Sequence, residues 1–351
     1  MESNTGGLGL LETKTYPDFI YLYFHPMAQF PVSNSTLSAP HLAQFVGQQY
    51  LLDKAACRII KAGVNDTYKI TTASEQFVLR VYSCNWRSKT GISEELRLIK
   101  HLADSGISVS QPLPDKDGKL VQELDAPEGL RYAVLFSYAK GEKRHNYSAE
   151  LHHEAGVLMA QMHNATENYG LDRVHYTASS LFTDPFELIK TFLPGGEEMD
   201  FMKKAEQYLL HEFSKFKTAE LRYGAVHMDI WFDNMNIDSH DKITLFDFDF
   251  CGNGWLCLDV AYYTLQFVER DENECKQKTE SFLQGYGSVT SLSAEERRLL
   301  PTLGLAMYFF YLGVQCSRFD NWSNVFLNET YLKRYVTAVV KRFADINGIK
   351  V

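Results

Sequence analysis

Val226-His227-Met228-Asp229-Ile230-Trp231-Phe232-Asp233-Asn234, with Leu245-Phe246-Asp247-Phe248-Asp249-Phe250 placing an Asp 13 residues beyond that Asn, decides how this chain is read. An acid two residues after a His, an Asn five residues later, and an acid closing an apolar strand are the parts that phosphoryl transfer requires. A hydroxyl nucleophile needs a carboxylate to orient it and take its proton, and Mg²⁺ needs oxygen ligands that bridge to nucleotide phosphates. In that pattern Asp229 is the candidate base, Asn234 and Asp247 are the candidate metal ligands, and His227 is expected to hold the loop. A His-x-Asp alone is most often a surface turn. Asn234 and Asp247 at this spacing, each flanked by apolar strand residues, reverse that reading. Asp249 alternates with Asp247, and the period of a strand would put both on one face. It is then a carboxylate supporting the ligands, a further metal ligand, or only a neighbouring charge.

Around this β-rich island, 223–250, the chain divides unequally. Upstream, 57–61, 67–72 and 76–82 are short, β-branched and aromatic, with turn residues between them, as strands require. A helical pattern covers 88–104, with Ile92, Leu96, Ile99 and Leu102 on one face and Gly106 to close it. Two more strands fit 119–123, after the turn Asp115-Lys116-Asp117-Gly118, and 132–137. Long helical patterns follow at 148–168, 199–216, 293–316 and 329–344. The expected organisation is an extension at 1–38, a small lobe at 39–138 opening on a short helix from Ala39, and a larger helical lobe at 139–351. The fold class is α+β, with a small antiparallel sheet and one helix set against a mainly helical partner.

The 351 residues are 45% hydrophobic and 13% aromatic, enough to bury a sizeable core and to exclude a disordered chain. A net charge of −9 argues against sequence-independent nucleic-acid binding and against docking on anionic membrane. No stretch reads as an apolar membrane span, and Met1-Glu2-Ser3-Asn4-Thr5 lacks the basic region and apolar core of a signal peptide. The six cysteines show no regular spacing and read as reduced thiols, so a cytoplasmic location is expected.

His227-x-Asp229-x4-Asn234 resembles the catalytic-loop signature of the aminoglycoside phosphotransferase and choline kinase family, relatives of the eukaryotic protein kinases. Phe246-Asp247-Phe248 is similar to that family's metal-binding segment. Gly252-Asn253-Gly254-Trp255 and Leu258-Asp259-Val260-Ala261 are similar to the bend and helix start that follow it. The resemblance implies the two-lobed protein-kinase-like fold and ATP and Mg²⁺ as cofactors. It also implies that Asp259 orients the catalytic loop, where its plain alternative is an N-cap. Such kinases pair a strand Lys with a helix acid to hold phosphates. Here Arg80 stands in the Lys position, a non-equivalent exchange, with Glu95 as its expected partner and Glu94 as the fallback. The loop 62–68, with Gly63 and Asn65, occupies the place of a phosphate-covering loop. Phe136-Ser137-Tyr138-Ala139 resembles the hinge that meets the adenine, with Phe136 and Tyr138 at the nucleotide. Gly156-x5-Met162-His163 is similar to a helix that packs around the catalytic loop. The aromatic C-terminal helices read mostly as core, with Arg318, Asp320 and Trp322 as candidates for an acceptor pocket.

The implied reaction is transfer of a phosphoryl group from ATP to a hydroxyl of a small molecule: an aminoglycoside, amino alcohol, amino acid or sugar. The resemblance is strongest to the stress-response-kinase and homoserine-kinase-like branch. Two alternatives stand beside it. A Ser/Thr protein kinase is disfavoured because only 11 residues separate Asp247 from Asp259, too few for a long activation segment. A non-catalytic nucleotide-binding module is disfavoured by the intact Asp229, Asn234 and Asp247.

Overall fold

The computed structural model describes residues 30–267, 271–319 and 324–351. Among the described residues the first helix is α1 (Ala39–Tyr50), and an antiparallel sheet follows, built from β1 (Ala56–Lys61), β2 (Asn65–Thr71), β3 (Gln76–Tyr82), β4 (Gln122–Ala126) and β5 (Gly129–Ser137). Its strand order is β1-β2-β3-β5-β4, and the register sets Arg80 between Thr67 and Val134. Alternation along β2 and β3 sends Tyr68, Ile70, Phe77, Leu79 and Val81 into a small core under Leu42 and Val46 of α1. On the other face Tyr82, Val134 and Phe136 join the larger core, together with α2 (Lys89–Asp104). Ser88 caps α2 by accepting the Gly91 N–H, and Ile92, Leu96, Ile99 and Leu102 are its buried stripe.

The outer hairpin lies later in sequence than the 119–123 expectation. Asp115 Oδ1 accepts the N–H groups of Asp117 and Lys119, which holds these residues in a turn. Pairing therefore starts at Gln122, and Gly129 closes the hairpin at φ +129°.

Among the described residues, the α-helices that follow are α3 (Ala149–Thr166), α4 (Asp184–Phe192), α5 (Glu197–Phe213), α6 (Cys257–Leu265), α7 (Glu272–Val289), α8 (Ala294–Ser317), α9 (Glu329–Tyr335) and α10 (Arg342–Ile346). A π-helical turn, Val336–Lys341, breaks what the pattern at 329–344 suggested was one helix. Neither α4 nor α7 was expected from the sequence. The α3–α7 pair is drawn to backbone contact by two glycines. A Cβ on Gly156 would lie 2.1 Å from the Phe282 carbonyl oxygen, and one on Gly285 1.9 Å from that of His153. By length and a mean hydropathy of 1.4, α8 could cross a membrane, contrary to the expectation that no stretch is apolar enough; yet 72% of its most apolar 18-residue window is buried within the fold.

The island at 223–250 resolves into two ribbons. β6 (Tyr223–Val226) pairs with β9 (Gly252–Trp255), and β7 (Met235–Ile237) pairs with β8 (Ile243–Leu245). β8 ends at Leu245, so Asp247 does not close a strand. Its φ is +67°, and the period-2 placement of Asp249 beside it therefore fails.

Candidate active site

The loop after β6 is fixed from beneath. Asp259, fully buried in the first turn of α6, accepts the His227 N–H at 2.9 Å on Oδ2 and the Met228 N–H at 2.7 Å on Oδ1. Its Oδ2 also faces His163 Nε2 at 3.2 Å. The carboxylate thus serves the loop rather than capping its own helix. Met228 sits at φ +67°, a left-handed conformation rare for a bulky residue. His227 is buried and joins the two halves of the motif. Its Nδ1 accepts the Asp229 N–H at 3.1 Å, and its Nε2–H donates to the Phe246 carbonyl at 3.2 Å. Burial pushes the imidazole pKa down, as this neutral tautomer requires.

Asp229 is gripped by three side chains. Asn234 Nδ2 donates to Oδ2 at 2.7 Å and to the Asp229 carbonyl at 2.9 Å. Tyr262 donates to Oδ1 at 2.8 Å, and the Tyr311 hydroxyl lies 3.0 Å from the same oxygen and also meets the Met228 carbonyl. Burial, reinforced by the negative charge of Asp247, raises the Asp229 carboxyl to about 7, against the pull of these three donors. The Asn234 amide faces two oxygens, which identifies its NH₂ end and leaves its Oδ1 free for another partner.

Arg80 joins the two halves of the site. Its Nη1 meets Glu95 Oε1 at 2.9 Å, and its Nη2 meets Asp247 Oδ1 at 2.8 Å. Glu95 is buried and also takes the Tyr82 hydroxyl at 3.2 Å and Arg173 Nη1 at 3.4 Å. Glu94, the fallback partner, instead pairs with Arg97.

Asp249 faces elsewhere. Trp86 Nε1–H reaches its Oδ2 at 2.8 Å, Arg87 straddles both oxygens at 3.2 Å, and Arg173 holds its backbone carbonyl. Burial alone would raise this carboxyl, but Arg87, Arg80 and the Trp86 N–H hold it at about 2. The Trp86–Arg87 segment is thereby tied to a residue 162 or 163 positions away, a contact no sequence period signals.

A cleft of about 440 Å³ lies between sheet and catalytic loop, lined among others by Val78, Arg80, Phe136, Tyr138, Asn234 and Asp247. Gly63 and Asn65 are not on its lining; Ile60, Lys61 and Thr67 supply that wall. Asn65 turns its Oδ1 to the Ser83 N–H at 3.2 Å, which takes it away from the cleft. Arg318, just beyond α8, lays its guanidinium 5.2 Å from the centre of the Trp86 ring. Asp320 and Trp322 lie outside the described residues. Tyr262 and Tyr311 were missed at the sequence level. Tyr262 follows Asp259 by three residues on α6, a spacing that points both towards one side; Tyr311 was hidden in an aromatic run that reads as core.

The sequence profile of the phosphotransferase enzyme family, APH, matches residues 56–297. The amicoumacin kinase of Bacillus subtilis is 24% identical, over 78% of this chain and 83% of its own length. The homoserine kinase of Agrobacterium fabrum is 28% identical, over 78% of this chain and 84% of its own length. Among solved structures, a microcompartment-associated aminopropanol kinase superposes with a TM-score of 0.74 at 21% identity, covering 89% of this chain and 99% of that one, and carries the same fold. A kinase-like α+β fold, a catalytic loop buttressed by buried polar groups and a match across most of the chain place this protein in the phosphotransferase enzyme (APH) family, as a small-molecule kinase.

Proposed function

We propose that the chain transfers the γ-phosphoryl group of ATP, bound with Mg²⁺, to an alcohol hydroxyl of a small molecule. The observation that carries this reading is that two sets of side chains, Asp229 with Asn234 and Glu95 with Arg80 and Asp247, are brought together at one cleft, whose wall holds Arg80, Glu95, Asn234 and Asp247. Asp229 is the base that orients the hydroxyl and takes its proton. The donor set suits Mg²⁺: the Asn234 amide oxygen is turned away from Asp229, and the Asp247 carboxylate is partly exposed at the cleft, both hard oxygens. When bound there, the ion neutralises charge on the phosphates. Arg80, held in place by Glu95, offers permanent positive charge to the same phosphates. Phe136 and Tyr138 line the cleft where the nucleotide base would lie, while Gly63 and Asn65 sit off that lining, in the loop that would cover the phosphates. Asp249 is spent on Trp86 and Arg87, so it supports the site and does not ligate metal.

The acceptor belongs with those for which the relatives are named (amicoumacin, homoserine, aminopropanol), and Arg318 borders its pocket. The test is a phosphoryl-transfer screen of amino alcohols, amino acids, aminoglycosides and sugars with ATP and Mg²⁺, run beside Asp229→Asn. Turnover of one acceptor by the wild type and its loss in the variant are expected. Absence of Mg²⁺-dependent nucleotide binding in the wild type would refute the reading.

A further inference from the structure

We propose that Tyr262 and Tyr311 are positioning residues of the reaction, locking the Asp229 carboxylate so that one lone pair of Oδ2 faces the acceptor hydroxyl. The inference rests on the reading of Asp229 as the base. A carboxylate offers about four acceptor sites. Tyr262 takes one on Oδ1 at 2.8 Å. Tyr311 has a single hydroxyl hydrogen, set in a fork between Oδ1 at 3.0 Å and the Met228 carbonyl. Asn234 takes one on Oδ2 at 2.7 Å. Oδ1 is therefore met by both phenols, Tyr311 sharing its hydrogen with the Met228 carbonyl, and the acceptor site that no protein donor reaches is on Oδ2.

The grip is stiff because the two rings support each other. Their centroids lie 4.9 Å apart with planes at 23°, and Phe250 packs 5.9 Å from Tyr311. The rings come from α6 and α8, buried helices of the large core, so the carboxylate is referenced to packed helices rather than to its own loop. The Tyr311 fork also ties the carboxylate to the left-handed Met228, so the side chain and backbone of the loop move together. In the reaction the acceptor O–H donates to Oδ2. As its oxygen bonds to the γ-phosphorus, the proton passes to Oδ2. The bond from that phosphorus to the bridging oxygen breaks, and the nucleoside diphosphate leaves with the electron pair.

The experiment compares Tyr262→Phe, Tyr311→Phe, the double variant and Asp229→Asn in the full chain with ATP and Mg²⁺. The acceptor is the one found by screening, or water in single-turnover hydrolysis. Each single variant is expected to lose about tenfold in kcat and the double about 100-fold, because phenylalanine keeps the ring stack and releases the carboxylate. Acceptor KM, nucleotide Kd and the melting temperature should stay close to wild type. A merely structural role would lower the melting temperature and spare kcat. The single variants keep the test decisive should the double fail to fold. If the phenylalanine variants turn over like wild type while Asp229→Asn is inactive, the phenols do not position the base and the inference is overturned. If Asp229→Asn itself turns over like wild type, the base assignment fails, and this inference fails with it.

Discussion

Replacing Asp259 by Asn changes one buried oxygen to an NH₂ group and leaves the volume unchanged. In the native structure Oδ1 accepts Met228 N–H at 2.7 Å, while Oδ2 accepts His227 N–H at 2.9 Å and faces His163 Nε2 at 3.2 Å. An asparagine can place its single oxygen on either side, never both. With the oxygen towards His227 and His163, its NH₂ meets the Met228 N–H, donor against donor. In the flipped rotamer two donors are left facing an NH₂. The gentler choice loses a charged hydrogen bond and orphans a buried N–H, together roughly 3–5 kcal/mol. That penalty falls on Met228, whose left-handed φ of +67° depends on being held.

Thermal unfolding of full-length wild type and Asp259→Asn should therefore differ by about 5 °C, given that each kcal/mol moves the midpoint of a chain this size by roughly 1–2 °C. Initial-rate assays should show kcat falling by about 100-fold or more as Asp229 swings from its place, with a smaller effect on nucleotide affinity. A variant melting within about 1 °C of wild type and retaining its kcat would refute the argument, since the three contacts could not then be holding the loop.

Arg80→Ala should weaken MgATP binding by about tenfold or more in calorimetric titration, because Glu95 and Asp247 lose their shared partner; Arg80→Lys should recover part of it, reaching only one carboxylate at a time. Gly285→Ala pushes a methyl group to 1.9 Å from the His153 carbonyl oxygen, so α3 and α7 must separate. A loss of about 2–3 kcal/mol in urea unfolding is expected, and an unchanged midpoint would show that the helix pair yields without cost. Burial, helped by the positive charge of Lys278, holds His152 down at about 4 against its usual 6.5. The unfolded chain therefore takes up this proton first as pH falls, and stability is lost between about pH 6.5 and 4, by up to roughly 3 kcal/mol. His152→Phe should flatten that part of the stability–pH curve, and a curve of unchanged slope would exclude His152 as its source.

How much of this site was legible from the sequence follows from the range of each contact. His227, Asp229 and Asn234 lie within eight residues, and Asp247 follows two residues after the short β7–β8 ribbon that starts at Met235, so spacing alone brought them together. Arg80 and Glu95 sit on a strand and the helix after it, an adjacency the pattern of apolar residues already implied. Asp249 was misplaced because a strand period was carried past Leu245 into a residue with positive φ. The Trp86 and Arg87 contacts to Asp249, and that of Tyr311 to Asp229, span between 82 and 163 residues. They depend on how helices and sheet dock, which periodicity does not encode. Asn65 lies off the cleft lining for a simpler reason: its side chain is satisfied by the Ser83 backbone.

The same contacts explain why the site tolerates two left-handed residues. Asp247 has φ +67°, as does Met228, and each such residue stores about 1–3 kcal/mol of strain. Both conformations are over-determined. Met228 is fixed at its N–H by Asp259 and at its carbonyl by Tyr311, while Asp247 is fixed at its carboxylate by Arg80. His227 spans the two, bonded to the peptide after Met228 and to the one before Asp247, so neither turn can relax without disturbing the other. Hydrogen bonds among buried groups contribute little net stability when both partners are removed together. A purely apolar filling of this region could be just as stable, and it would let Met228 and Asp247 fall back to ordinary backbone geometry. The polar network beneath the loop is therefore better understood as holding a strained backbone in position than as holding the protein together.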